Sequence, residues 1–221
     1  MVEAVVFAGP SGVGLATARW RGIKRLAPAM RGDIDALLQA GTSEQGAGVI
    51  VLADGIFGFE PAVSHAELCR ALDAGWRVWG CSSMGAIRAW EMRHEGMRGH
   101  GWVYRQFARH RDLTDDELAL LHLPAPPWDA FSEPLVNLRH ALHECGTALG
   151  IRVSDQRRLI ELLQQRWFGE RTTPLMLDLL VGPLGVPAAA ALALLDHLDR
   201  RRIKNLDLDD LLRQRPWRHT R

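Results

Sequence analysis

Gly80-Cys81-Ser82-Ser83-Met84-Gly85-Ala86-Ile87-Arg88-Ala89-Trp90-Glu91-Met92 joins a short apolar run, Trp76 to Gly80, directly to a helix-like segment. Two hydroxyls stand at the junction. The first amides of a helix have no intrahelical acceptor, so at a strand-to-helix turn they point at whatever occupies the bend. A serine there lies beside ready-made donors for an oxyanion. Two readings stay open on the residues alone: Ser82 or Ser83 caps the helix, or one of them does chemistry.

Working outward, Val2 to Ala8 and Val49 to Ala53 are apolar, β-branched runs like Trp76 to Gly80, and each ends in a glycine-bearing loop. Asp33 to Ala40 reads as a short helix. Val63 to Leu72 reads as another, with Ser64 and Glu67 at capping-box spacing and Gly75 as its stop. Strands alternating with helices predict an α/β fold: a small, mainly parallel sheet flanked by helices. The loops Gly9 to Gly14, Asp54 to Glu60 and Cys81 to Gly85 then share the C-terminal edge of that sheet, where such folds bind ligands.

Downstream the pattern turns helical. Thr114 and Glu117 have capping-box spacing ahead of a helix over Leu118 to His122, and Pro124 to Trp128 forms a rigid connector. Ser132 with Pro134 opens a helix reaching Gly146 to Gly150. Helices follow from Ser154 to Phe168, Pro174 to Val181 and Val186 to Asp199, and Arg213 to Arg221 is polar, basic and expected to be loose. The organisation expected is an α/β core over 1–148 and an all-helical C-terminal extension over 149–221.

Composition narrows the class. A net charge of +1 gives no bulk field for nucleic acid or membrane. No apolar run is long enough to span a bilayer, and nothing after Met1 resembles a signal peptide. The three cysteines, Cys69, Cys81 and Cys145, are odd in number and form no C-x-x-C pair, which suits a reducing, cytoplasmic setting. Of 27 basic residues only Lys24 and Lys204 are lysines. The histidines, among them His94, His100, His110, His122, His140 and His143, lack metal-ligand spacing, so no metal is expected.

Gly9-Pro10-Ser11-Gly12-Val13-Gly14 has the glycine spacing of a phosphate loop, but Leu15 and Ala16 replace its Lys and Ser/Thr. No nucleotide-hydrolysing motif remains, although the loop can still present Ser11 and backbone amides to an anion. Asp54 closes its strand towards the same crevice, against a background in which Asp-Gly is a common turn. His65 and Glu67 stand near a helix start. Arg88 and Glu91 can pair on one helix face. Asp115-Asp116-Glu117 has the composition of a cation ligand or, more simply, of charges offsetting a helix dipole.

Taken in order, these stretches resemble the TfuA-like family, whose pattern includes F-x-G-P-S, R-G-D-I, I-I-D-G-x-F, V-x-H-K-E-I-L, G-A-S-S-M-G-A-L-R and L-S-E-P-M-V-N-I-R. This chain has Phe7-Ala8-Gly9-Pro10-Ser11, Arg31-Gly32-Asp33-Ile34, Asp54-Gly55-Ile56-Phe57 and Val63-Ser64-His65-Ala66-Glu67-Leu68. Gly80 to Met92, Gly96-Met97-Arg98-Gly99, Asp115 to His122 and Phe131 to Arg139 follow in the same order, so the likeness spans Val5 to Leu142.

The resemblance implies a role beside YcaO enzymes, which use ATP to activate a peptide backbone amide for replacement of oxygen by sulfur. The family member hydrolyses the C-terminal thiocarboxylate of a ThiS-type ubiquitin-like sulfur carrier and helps the YcaO enzyme engage its precursor peptide. It needs no cofactor of its own, and it is credited with a Ser–Lys pair. Carried over, Ser83 is the first candidate nucleophile, with Ser11 and Ser82 next. Ser82, Gly85, Asp54, Arg88 and Glu67 are then candidates for holding substrate. The lysine of H-K-E corresponds to Ala66 here. Lys24 or His65 would then be the base, or the chain binds YcaO without hydrolysis.

Overall fold

The computed structural model describes residues 2–41, 48–58, 61–110 and 113–219. Glu60, the expected end of the loop after Asp54, lies outside them, as do Met1, Thr220 and Arg221. Five strands form among the described residues: β1 (Ala4–Phe7), β2 (Ile23–Leu26), β3 (Val49–Leu52), β4 (Arg77–Gly80) and β5 (Arg98–Gly99). The helices are α1 (Asp33–Gly41), α2 (His65–Asp73), α3 (Met84–Glu91), α4 (Gly101–Arg109), α5 (Leu135–Ala141), α6 (Val153–Gln164), α7 (Thr173–Val181), α8 (Ala188–Arg200) and α9 (Ile203–Gln214).

The strands pair in parallel in the order β2-β1-β3-β4-β5. That is a doubly wound order whose direction reverses between β1 and β3. Both β1 and β3 are buried at every position, because a parallel sheet carries cover on both faces. Val5, Phe7, Ile50, Leu52 and Val78 pack with Ile34, Leu68, Ala71, Ala89 and Met92 of α1, α2 and the α3 end. Their alternates, Ala4, Val6, Ala8, Val49, Val51, Ala53, Trp79 and Cys81, pack with Leu208, Leu211, Leu212 and Trp217. Helix α3 approaches the sheet so closely that a Cβ on Gly85 would lie 1.7 Å from the Leu52 carbonyl oxygen. Glycine is required there by contact, not by torsion.

Two compact units result: residues 1–113 with 204–221, and residues 114–203. The division differs from the expected boundary at 148, because α9 joins the strand-bearing unit. Its side chains tie it down along its length. Asn205 donates to Pro10 and Val13 carbonyls, at the C-terminal edge of the sheet, at 3.2 and 3.0 Å. Beyond the other end of α9, Arg215 and Arg218 hold Glu3, at the N-terminal edge, each with a contact of 2.6 Å. Helix α9 therefore runs antiparallel to the strands. The expected loose tail is corrected: over 213–219 it is anchored, and Trp217 is 1% exposed.

The second unit packs Leu135, Leu138, Leu159, Leu163, Met176, Leu180, Leu194 and Leu198 into one core. Arg171, fully buried, donates to the carbonyls of Leu163, Asp116 and Arg166 and to the Asp116 carboxylate. Three expectations fail here. No helix forms over Leu118 to His122, and Thr114 makes no cap; Glu117 instead accepts from Arg139 at 2.5 and 2.7 Å. Ser132 accepts the Leu121 amide, leaving α5 to start after Pro134. Helix α6 starts after Arg152 and ends at Gln164, short of Phe168.

Hydrogen bonds from Arg218, Trp217 and Arg215 hold the Glu3 carboxyl down from 4.5 to about 2. A lowered pKa in the fold means stability that is present above the unfolded value and lost as pH falls towards the folded one. Glu3→Gln should therefore melt below the parent protein at neutral pH, with the gap closing between pH 4.5 and about 2. Thermal melts across that range measure it, and a gap independent of pH contradicts the clamp.

Candidate functional site

The reversal between β1 and β3 opens the sheet edge at the loops after those strands, and the loop after β4 is next in line. A single carboxylate links the first two. Asp54 accepts the amides of Gly9 and Ser11, both at 2.9 Å, and the Ser11 hydroxyl at 2.6 Å. Asp54 is 3% exposed, so its oxygens are satisfied by the protein and not by water. The Pro10–Gly12 turn thus faces an internal anion, and these two amides are not open to an external one as expected.

The carbonyls of that loop are held from outside. Arg25 on β2 donates to Ala8 and Gly9 oxygens at 3.0 and 2.9 Å, its guanidinium 4.7 Å from the Trp20 ring. Burial pulls Arg25 below the usual guanidinium range, and the charge of Asp54 opposes that pull. Asn205 takes the next carbonyls, at Pro10 and Val13. With its carbonyls fixed outward, the loop turns Ser11 and its amides inward.

The serine turn after β4 is backbone-strained. Ser82 has φ +64°, and the Ser83 amide donates to the Cys81 carbonyl across it at 2.7 Å. Left-handed torsions at a non-glycine residue cost about 1–3 kcal/mol and persist only where the surroundings enforce them. Ser82 Oγ donates to Cys81 Sγ at 3.3 Å. Burial drives the Cys81 thiol far above its usual range, so it is no thiolate nucleophile.

Ser83 is the residue preceding α3, yet its side chain makes no capping bond. Its carbonyl takes the Ala86 and Ile87 amides, while Gly85 donates to the Ala53 carbonyl at 3.2 Å. Among the described residues neither Ser83 Oγ nor the Met84 amide has a hydrogen-bond partner. The capping reading is thereby set aside. A hydroxyl with the next residue's amide unengaged is the arrangement an acyl-transfer site needs. Ser83 is 2% exposed.

The structure does not gather the other candidates here. His65 lies 2.7 Å from Glu91, at the far end of α3 and eight residues beyond Ser83, about 12 Å along a helix axis. Arg88 donates to the Val63 carbonyl and to Glu91. Glu67 completes the expected capping box with Ser64 and accepts the Gly32 amide at 2.7 Å, so it is occupied in fixing α2. Lys24 is exposed on the edge strand β2, where a lysine discourages further strand pairing. Ala66 is exposed too.

Residues that sequence reasoning passed over do reach the edge. Lys204, 3% exposed, precedes Asn205 at the start of α9, the end that lies over the Ser11 loop. Its rarity, one of two lysines, is the signal that could have found it. Asp207, one turn on, accepts the Trp102 and Val103 amides at 2.7 and 2.8 Å and so caps α4. Burial raises Asp207 to about 7 against those bonds. Among the described residues no group of three or more His, Cys, Asp or Glu could hold a metal ion, and no helix is long and apolar enough to cross a membrane.

A family model described as TfuA-like protein matches residues 54–172, more than half of the chain. Asp54, Ser82 and Ser83 fall within the match; Ser11 and α9 fall outside it. A comparison with curated proteins finds no match.

Asp54→Ala would leave buried amides of Gly9 and Ser11 without an acceptor, at about 1–3 kcal/mol each. Ser83→Ala removes no capping bond and should change stability by less than about 0.5 kcal/mol. Urea unfolding distinguishes them; a loss of about 1 kcal/mol for Ser83→Ala would restore the capping role.

Proposed function

The chain belongs to the TfuA-like family, which is associated with YcaO proteins, and we propose that it is a cytoplasmic accessory of YcaO-dependent peptide thioamidation that hydrolyses the thiocarboxylate of a ThiS-type carrier. The observation that carries this reading is the uncapped Ser83 on a strained turn, with the Met84 amide unpartnered among the described residues. Ser83 Oγ attacks the carbonyl carbon of the carrier's terminal thiocarboxylate while its proton passes to an amine. The C–S bond breaks, sulfur leaves with that proton as hydrosulfide, and a serine ester remains. Water then cleaves the ester, giving the carrier carboxylate, one proton and free Ser83. The Met84 amide supports the oxyanion formed in each step.

Lys204 is the amine of this reading, in place of Lys24 and His65. Buried lysines are those able to exist neutral and take a proton. Lys204 is buried and α9 starts over the Ser11 loop, whereas Lys24 is exposed and His65 is engaged with Glu91. YcaO would supply ATP chemistry, consistent with Leu15 and Ala16 in the glycine loop. Asp54 and Ser11 keep the edge in shape.

One observation favours a second reading, a non-catalytic YcaO-binding module: Ser11, Ser82 and Ser83 are 1%, 0% and 2% exposed. Hydrolysis requires the edge to open to the carrier tail.

Sulfide release from a thiocarboxylated carrier separates the two. Ser83→Ala and Lys204→Met should each lower the rate by at least about 100-fold, while Lys24→Met and His65→Gln stay within about three-fold. Unchanged release in Ser83→Ala overturns the nucleophile. No release by the parent protein, with co-purification of a YcaO enzyme intact, establishes the second reading.

A further inference from the structure

Helix α5 runs directly into a single π-helical turn, Leu142–Gly146. Such turns are rare inside α-helices and recur at functional sites. This one presents Glu144 and Cys145 to α8, and a cleft of about 460 Å³ opens there, lined by residues of the second unit alone. That volume is within the range of small-molecule sites. One wall is a single face of α8 and its end, where Ala193, Asp196, His197, Arg200 and Arg201 recur at helical spacing. The other wall is Cys145 and Leu149.

The lining changes character along α8, from Ala193 to the arginines two turns on, about 10 Å along the axis. Cys145 belongs to the apolar lining. Its thiol donates to the Ala141 carbonyl at 3.2 Å, and burial, then the charge of Glu144, push it up and keep it neutral. At the arginine end donors outnumber acceptors. Glu144 takes Arg201 at 2.9 and 3.2 Å and His197 at 2.9 Å, bonds that hold its carboxyl down at about 2. Asp196 is paired with Arg200. A guanidinium carries five N–H donors in a planar fork, and these carboxylates use only part of each. The Arg200 and Arg201 side chains are 70% and 48% exposed, so a ligand can reach them.

We propose that this cleft binds a small amphipathic monocarboxylate, its apolar body against Ala193, Leu149 and Cys145 and its carboxylate on Arg200 and Arg201. Carboxylate is the acceptor whose geometry matches a guanidinium fork, and an ammonium there would meet the cations of Arg200 and Arg201. An apolar body displaces water from Leu149 and Ala193, which a bare anion cannot do. Binding is non-covalent. The site owes nothing to the hydrolase reading, because Ser11, Ser82 and Ser83 all belong to the first unit. Helix α8 also lies beyond residue 172, where the family match ends.

Amide NMR spectra of the full, isotope-labelled chain titrated with sodium hexanoate test this. Saturable shifts should appear at residues 145–149 and 193–201, with a dissociation constant on the order of 1–10 mM, as befits so small a ligand. Acetate, the head without the body, and hexylammonium, the body with the opposite charge, should each bind at least about ten-fold more weakly. Arg200→Gln should weaken hexanoate at least about five-fold, and its own spectrum shows whether it is folded. No saturable shift at these residues by about 50 mM hexanoate overturns the site. Hexylammonium binding as tightly as hexanoate, or a folded Arg200→Gln binding it unchanged, overturns the carboxylate assignment. Acetate binding as tightly overturns the apolar half.

Discussion

The carboxylate of Asp54 is the constraint on which the candidate edge depends. It takes three donors from the Gly9–Ser11 segment while sitting at the end of β3, and so it fastens the two loops that flank the reversal of strand order. A buried anion needs such company, since unpaired charge in the interior is expensive. Its neighbours follow from it. Gly55 packs under Met84, the Ala53 carbonyl holds the Gly85 amide, and the serine turn rests on that segment. Arg25 and Asn205 fix the outer carbonyls of the same loop.

Much of the α/β half was legible because its signals are local. Val49 to Leu52 is apolar at each residue and became a strand buried on both faces; Ser64 and Glu67 formed their box. Strand β2 was not legible. Ile23-Lys24-Arg25-Leu26 is half polar because it lies at the edge, and its pairing with β1 is a tertiary fact. Strand β5 has two residues, too few for any pattern. Thr114 and Glu117 carried the right spacing, yet Glu117 was claimed by Arg139 from a distant segment. Local chemistry proposes a cap, and an ion pair to a distant segment can outbid it.

The candidate site divides the same way. That three glycine-bearing loops end on one edge was readable from the alternation of strands and helices. That Ser83 caps nothing was not, because the strained torsion at Ser82 aims the chain away from ordinary capping geometry. Lys204 and Asn205 were hidden for a different reason. They belong to a helix that returns to the first unit only after the whole second unit has been traversed, and no short-range pattern records such a return.

That return has a consequence for synthesis on the ribosome. The strands emerge early, but the helix that covers Val6, Val51 and Trp79 is translated only after residues 114–203. Until then the nascent sheet carries a naked oily flank, the condition under which growing polypeptides stick to one another or recruit chaperones. The same delay means that the loop after β1 receives its Asn205 contacts last, once the intervening helices have been made.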